Sequence, residues 1–152
     1  MLPASRLGEV TAELKKSGND SGTEVGTYAL FHLISDSTDE NAWRTARDIV
    51  EKGDKDAIRT MISSATLDPV ADGTTEHLRG SAGADEALLG GDVEEGNMAF
   101  MSFPAIVGSY QTCADKIDKL AQDVNLDGIL FSWPDWVTGI KQFGERIIPL
   151  LK

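Results

Sequence analysis

The side chains best placed for chemistry in this 152-residue chain follow three apolar segments that are predicted to be strands. In a sheet of parallel strands, these positions lie together at the carboxyl ends of the strands, where α/β proteins bind ligands. A serine that begins a helix can hold an anion there, because the first N–H groups of the helix lack partners. Five residues are therefore candidates for a pocket edge: Ser35, Ser109, Tyr110, Ser132 and Trp133.

Each candidate also has a purely structural interpretation. For Ser109, an ordinary N-cap is favoured over an anion site. Trp133 either walls a pocket by stacking on a planar ligand or packs at the rim of the core, and both interpretations stay open. His32 lies inside the first predicted strand, where a hydrogen-bonded core histidine is favoured over a polar pocket residue. His77 lies in an acidic loop, and an exposed position is favoured over a role in a lid.

Neither metal binding nor nucleophilic catalysis is predicted. No pair of histidines and carboxylates has the spacing of a metal site. The acidic run of Asp92, Glu94 and Glu95 lacks the EF-hand pattern and is interpreted as solvated. The single cysteine, Cys113, falls on the apolar face of a predicted helix, so buried packing is favoured over a nucleophilic role. The sequence shows no serine-hydrolase elbow.

Composition restricts the partners. The net charge of −11 argues against nucleic acids and anionic membrane surfaces, which both require clustered Lys and Arg. No apolar run reaches the 18 residues that a membrane span needs. One cysteine cannot form an internal disulfide, which favours a reducing compartment. The cytoplasm is the predicted location.

The first half of the chain contains a helix, a strand and two further helices. A helix is predicted over residues 3–16 and a strand over residues 27–35. Ser37 and Glu40 have the spacing of a capping box, and Gly53 is expected to end the helix that they begin. Residues 66–97 are rich in Gly, Asp and Glu and are predicted to be a long acidic insertion or lid loop, with a short helix near 84–89.

The second half alternates two strands and two helices. Strands are predicted at 105–107 and 128–133, and Pro134 is expected in the first turn of the last helix. Alternation of buried strands with amphipathic helices predicts an α/β domain with a parallel sheet, occupying the whole chain. The apolar face of the first of these helices is predicted to contain Cys113, Ile117, Leu120, Ala121 and Val124. The last helix has a wide apolar stripe: Trp136, Val137, Ile140, Phe143, Gly144, Ile147, Ile148 and Leu151.

Two motifs carry a family resemblance. The first is "IVGSYQTCADKIDKLA", at 106–121, and the second is "DGILFSWPDWVTGIKQFGERIIPLL", at 127–151. Together with "GTYALFHLISDSTDENA", at 26–42, they resemble the final part of the luciferase-like flavin-dependent monooxygenases. The branch of pyrimidine monooxygenases, which open the uracil ring oxidatively, is the most similar.

The resemblance implies the C-terminal part of a (β/α)₈ TIM barrel. It also implies an enzyme that uses O2 and reduced FMN, supplied by a reductase, to oxidise a small pyrimidine-like or other nitrogen-containing substrate. The family holds FMN mainly on earlier strands, so no cofactor ligand and no catalytic residue is assigned in this chain. The expectation is a segment whose N-terminal half-barrel is missing.

Two alternatives remain open. The chain is a non-catalytic truncated remnant or interaction module that needs a partner half-barrel, or that forms a homo-oligomer, because three strands leave an exposed sheet edge. Alternatively, a related flavin enzyme would use a deazaflavin.

Overall fold

The computed structural model describes residues 4–65 and 104–152, so the predicted loop 66–97, with His77 and the acidic run, lies outside the described residues. Three strands alternate with helices in the order that the hydropathy pattern predicts. The elements are α1 (Ala4–Asp20), β1 (Tyr28–Asp36), α2 (Asp39–Lys52), α3 (Lys55–Ala65), β2 (Ala105–Ser109), α4 (Tyr110–Asp123), β3 (Gly128–Ser132) and α5 (Trp136–Gln142). A π-helical turn (Phe143–Ile147) and a 3₁₀ turn (Ile148–Leu150) extend α5.

The strands form one parallel sheet in the order β2-β1-β3. The first strand is central, because it is apolar along its length and can be buried on both faces. Its C-terminal half pairs with β2, ending at Asp36 opposite Ser109. Its N-terminal half pairs with β3, from Tyr28 opposite Gly128 to His32 opposite Ser132. The parallel α/β sheet predicted from the sequence is confirmed.

The strand order is that of an open sheet. In a barrel of consecutive βα units, β2 would lie between its chain neighbours, whereas here β3 pairs with β1. The connection from β1 to β2 and the connection from β2 to β3 run in opposite directions across the sheet. Because crossovers between parallel strands are right-handed, their helices lie on opposite faces of the sheet. Accordingly, α2 packs on one face with Ile34 and Val107, and α4 packs on the other face with Leu33 and Ile106. The described residues therefore form an open three-layer unit.

The start of α2 differs from the predicted capping box. Thr38 is the N-cap, and its side chain accepts a hydrogen bond from the N–H of Asn41 at 3.3 Å. Ser37 instead donates its N–H and its hydroxyl to the carboxylate of Asp36. The prediction of Ser37 as the cap was wrong because the strand continues to Asp36, which delays the helix by one residue.

The end of the chain also corrects the prediction. Asp135 is the N-cap of α5, accepting from the N–H groups of Val137 and Thr138 at 3.0 and 3.2 Å. Pro134 therefore precedes the cap and does not lie in the first helical turn. The predicted apolar stripe is only partly buried, since Ile147 is fully covered but four members are more than half exposed: Trp136, Val137, Ile140 and Ile148.

Two smaller features differ from the predictions. The first helix extends to Asp20, four residues beyond the predicted end. Cys113 and Ile117 of α4 and its C-cap, Val124, are buried as predicted, but Ala121 is exposed. Ala121 lies at the margin of the helical stripe, and its small side chain gives little apolar area to drive burial.

Candidate active site

The carboxyl ends of the three strands do not lie level. Asp36 and Ser109 are opposite each other, so β1 and β2 end together. Ser132, the last residue of β3, lies opposite His32, four residues before the end of β1. At about 3.3 Å per residue, this offset is roughly 13 Å. The five pocket-edge candidates consequently separate into two groups, with Ser35, Ser109 and Tyr110 in the upper group and Ser132 and Trp133 in the lower group.

The carboxylate of Asp39 bonds to a residue of the upper group. The side chain of Asp39, at the start of α2, accepts a hydrogen bond from the N–H of Ser109 at 2.6 Å. This backbone N–H, followed by the side chain of Thr112, holds the pKa of Asp39 below its usual range. Asp39 therefore ties α2 to the end of β2. In the sequence, only its place as an acid in the first turn after a strand distinguishes this residue.

Ser109 is the N-cap of α4. Its hydroxyl accepts from the N–H of Thr112 at 3.2 Å and lies 2.9 Å from the hydroxyl of Thr112. A side chain at position 108 would clash with this turn. A Cβ on Gly108 would lie 2.6 Å from the methyl carbon of Thr112 and 3.1 Å from Oδ1 of Asp39. The cap interpretation of Ser109 is confirmed, and its own N–H already faces a protein carboxylate.

Asp36 supplies a second carboxylate at this end of the sheet. It accepts from the hydroxyl and the N–H of Ser37, at 2.8 and 2.5 Å, and from the side-chain amide of Asn41 at 3.3 Å. The hydroxyl of Ser37 makes the largest contribution in keeping the pKa of Asp36 below its usual range. The end of β1 is therefore anionic at neutral pH.

The lower group contains a polar pair. Oγ of Ser132 makes a close hydrogen bond with Nδ1 of His32, and both residues are half-buried. This bond joins the central strand to the last strand at their final paired position. The favoured interpretation of His32 as a hydrogen-bonded structural histidine is consistent with this geometry.

Trp133 belongs to an aromatic cluster. Its ring centroid lies 5.4 Å from that of Trp136, 6.1 Å from Phe143 and 6.3 Å from Phe131. A Cβ on Gly139 would lie 2.3 Å from Cγ of Trp133, so α5 rests directly on the indole. Nε1 of Trp133 is buried and has no hydrogen-bond partner among the residues that the structure describes. These contacts support the rim-packing interpretation and leave the pocket-wall role a prediction.

Cys113 packs in the core, as predicted. Its side chain is fully buried, and Sγ lies 3.4 Å from the carbonyl oxygen of Gly108. Burial raises the pKa of the thiol to about 12, so the reactive thiolate is not populated near neutral pH.

Flavin cofactors carry a phosphate, and the described residues do not fit one. The N-termini of the three helices that follow the strands are each capped from within the chain, by Thr38, Ser109 and Asp135. The carboxylates of Asp36 and Asp39 add negative charge beside two of these N-termini, and this charge opposes phosphate binding.

The same part of the chain offers neither a metal site nor a membrane span. Within residues 4–65 and 104–152, no group of three or more His, Cys, Asp or Glu side chains could hold a metal ion. No helix in these ranges is long and apolar enough to cross a membrane.

Known proteins resemble the chain in sequence and in fold, although no family model matches it. The chain is 30% identical over 141 residues to pyrimidine monooxygenase RutA of Escherichia coli strain SE11, covering 93% of this chain and 34% of that protein. RutA of Enterobacter cloacae is 29% identical over 144 residues and is covered to 36%. The chain thus spans about one third of the length of these relatives.

Solved structures share the fold. A riboflavin lyase, RcaE, crystallised with modified FMN and riboflavin, aligns with 97% of this chain and 36% of its own, at a TM-score of 0.73 and 16% identity. DmoA of Hyphomicrobium sulfonivorans aligns with 98% of this chain and 35% of its own, at a TM-score of 0.71 and 14% identity. The resemblance to a pyrimidine monooxygenase that the motifs indicate is confirmed: over nearly its whole length, the chain is similar to about one third of RutA.

Proposed function

We propose that the chain is one segment of an FMN-dependent monooxygenase that oxidises a small, pyrimidine-like or other nitrogen-containing substrate. The observation that carries the proposal is the 30% identity to RutA over 93% of the chain. The motifs at 106–121 and 127–151 support the C-terminal part of a luciferase-like barrel as its place in the whole enzyme, and the relatives support a partial match. That placement rests on the resemblance, since the described strand order is that of an open sheet.

The flavin would be held mainly by the portion of the enzyme that has no counterpart in this chain. This follows from the capped helix N-termini and from the carboxylates of Asp36 and Asp39. When bound, reduced FMN supplies the activation of O2, and the protein supplies position and environment. The chain would contribute the substrate-side edge of the pocket, with Ser35, Ser109, Tyr110, Ser132 and Trp133 as candidates. Loop 66–97 would act as a lid, and the cytoplasm remains the proposed location.

A second candidate function is that of a non-catalytic interaction module. The observation that favours it is the exposed apolar side of α5, where Val137 is 82% exposed. A face of this kind is typical of a surface that another protein segment covers. If the chain is a segment of a monooxygenase, covering this surface completes an enzyme that oxidises a substrate. If the chain is an interaction module, covering the surface produces no catalytic activity.

A segment exchange separates the two candidates. The part of E. coli RutA that matches this chain would be replaced by the chain, and uracil oxidation would be measured with reduced FMN, a flavin reductase and O2. We expect measurable oxidation by the exchanged enzyme and none by RutA that lacks the segment. A folded, FMN-binding exchange that leaves uracil and other pyrimidines intact would support the interaction module.

Flavin binding by the chain alone gives an independent test. FMN fluorescence would be titrated with the purified 152-residue chain, with size-exclusion chromatography in parallel. We expect no saturable binding at micromolar concentrations, because the described N-termini offer no phosphate site. Saturable binding would contradict the assignment of the flavin site to the absent portion.

A further inference from the structure

Ser132 and His32 form a polar pair at the end of β3. Oγ of Ser132 bonds to Nδ1 of His32, and the two residues are directly opposite each other in the register of β1 with β3. Both residues are half-buried. Their neighbours in sequence, Phe31, Leu33 and Phe131, pack on the α4 face, so the pair lies on the opposite face of the sheet.

Helix α2 covers this opposite face only toward β2. The buried cluster that α2 forms with the sheet contains Ile34 of β1 and two residues of β2, but no residue of β3. Two residues on the same face as the pair, Leu130 and Tyr28, are 53% and 61% exposed. Within the described ranges, the sheet surface that leads to Ser132 is therefore apolar and accessible.

The uneven ends of the strands place the pair at the foot of a step. The pairing of β1 with β3 ends at His32 and Ser132, whereas β1 continues to Asp36 beside β2. Among the described residues, no strand lies beside this last part of β1 on the β3 side. Ser132 therefore lies below the overhanging end of β1, at the carboxyl end of the sheet, where α/β proteins bind ligands.

The hydroxyl of Ser132 has further hydrogen-bonding capacity. A hydroxyl has one donor and two acceptor positions, and within the described ranges the side chain of Ser132 bonds to His32 alone. If Nδ1 of His32 accepts, the oxygen of Ser132 can still accept from an N–H group. If Nδ1 donates, the hydroxyl proton can still be donated to a carbonyl. The tautomer of His32 therefore decides which kind of group the hydroxyl can bind.

We infer that Ser132 is a substrate-binding residue, and that His32 is a positioning residue that fixes the direction of the Ser132 hydroxyl. The inference rests on the proposed function. A pyrimidine such as uracil presents neighbouring N–H and C=O groups at the edge of a flat ring. The Ser132 hydroxyl can bond to one edge group while the ring lies on the apolar surface beside Leu130. A site that bonds such a group discriminates against analogues that lack it.

The test uses the exchanged enzyme, in which this chain replaces the matching part of E. coli RutA. Binding of uracil to its FMN-loaded form would be measured by equilibrium dialysis. We expect Ser132→Ala to weaken binding by about three- to tenfold. His32→Leu should weaken binding as well, because it releases the hydroxyl, and His32→Asn, which keeps a polar group near Nδ1, should restore part of the loss. Ser21→Ala is the control, because the Ser21 hydroxyl bonds only to carbonyl groups at the end of α1, and its binding should stay within about twofold of wild type.

Substrate analogues show whether the contact is direct. The analogues 1-methyluracil, 3-methyluracil, 2-thiouracil and 4-thiouracil each change one edge group of the ring. We expect the effect of Ser132→Ala to disappear for one of them, because that analogue lacks the group that Ser132 bonds. A purely structural role of Ser132 would weaken the binding of uracil and of every analogue equally.

Three results would overturn the inference. They are uracil binding that Ser132→Ala leaves unchanged, equal weakening for uracil and all the analogues, and the absence of pyrimidine binding by a folded, FMN-loaded exchanged enzyme. Circular dichroism and FMN retention would establish that each variant is folded. A uracil oxidation assay separates the two proposals. Binding that depends on Ser132 without oxidation retains the binding residue and rejects the monooxygenase, whereas oxidation with binding that Ser132→Ala leaves unchanged does the reverse.

Discussion

The two edges of the sheet differ in how their backbone groups are satisfied. At the β2 edge, Val107 and Ser109 point away from β1, because Pro104 bonds to His32. Nζ of Lys116 donates to the carbonyl of Val107 at 3.1 Å, and Asp39 accepts from the N–H of Ser109 at 2.6 Å. The β3 edge has no equivalent in the described ranges. Charged side chains therefore block one edge against further pairing and leave the other edge available.

The helices show the same asymmetry. Helix α2 buries Ala42, Ala46 and Val50 against the sheet. Helix α5 has an equally apolar stripe in sequence, yet it buries only Gly139. Within the described ranges, the apolar stripe of α5 is therefore left largely uncovered, with Val137 82% exposed.

The largest expected effect on stability is in β1, the central strand, which pairs with both β2 and β3. Leu33→Ala would remove a side chain that is 1% exposed between β1 and α4, and we expect the free energy of unfolding to fall by about 2–5 kcal/mol. Urea unfolding measures this change. Leu14→Ala, at a position that is 49% exposed, is the control and should change stability by about 0.5 kcal/mol or less. A similar loss in both variants would contradict the central role of β1.

A second variant tests how α5 is positioned beside the open edge. Gly139→Ala would place a Cβ 2.3 Å from Cγ of Trp133, and we expect a destabilisation of about 1–3 kcal/mol from the forced shift. Gly144→Ala is the matched control, because nothing lies within 4 Å of its added Cβ. Thermal unfolding of both variants is the measurement. Equal or greater stability of Gly139→Ala would show that α5 does not rest on Trp133.

A third variant removes the negative charge from one of the two bonds that block the β2 edge. The pKa of Asp39 is lowered in the folded protein, so its contribution to stability is present above the unfolded pKa of about 3.9. This contribution is lost as the pH falls through the folded value. We expect Asp39→Asn to unfold at a lower urea concentration than wild type near about pH 7, with a difference that shrinks toward about pH 3.

Glu40→Gln is the control for this experiment, because Glu40 is the next residue of the same turn and makes no hydrogen bond to β2. Its stability should follow that of wild type near neutral pH. An Asp39→Asn difference that is equal at both pH values would mean that the carboxylate charge does not act through Ser109.

The smallest expected effect is at Lys116. Lys116→Met keeps most of the apolar stem and removes the donor to Val107, and we expect a loss of about 1 kcal/mol. Concentration-dependent size exclusion should also show new association through the unblocked edge. Lys119→Met is the control, because Lys119 forms an exposed pair with Asp123, which should contribute almost nothing. Unchanged association would indicate that Asp39 alone is sufficient to block the edge.

Local pattern was sufficient to predict the elements and some of the site. The three strands, the helices between them, the cap at Ser109 and the burial of Cys113 all depend on residues close in sequence. The cap at Thr38 was missed because a capping box also fitted one residue earlier. The position of Pro134 was missed because proline is compatible with both the first turn and the residue before a cap.

Relations between distant residues could not be predicted. Pairing of β3 with β1 depends on which crossover reverses direction, and hydropathy carries no signal for that choice. The bond from Asp39 to Ser109 joins residues 70 positions apart. Exposure of α5 depends on what covers it, which an amphipathic pattern cannot specify.

The hydrogen bond between Asp39 and Ser109 also affects how far the length of the connection between β1 and β2 can vary. These residues are 70 positions apart, and together they bracket the whole connection between β1 and β2. The entropy of closing such a connection grows only with the logarithm of its length, so doubling the length costs about 0.6 kcal/mol. Insertions and deletions in this connection outside α2 and β2 are therefore inexpensive as long as the bond between Asp39 and Ser109 remains. This connection is where homologous sequences should differ most in length.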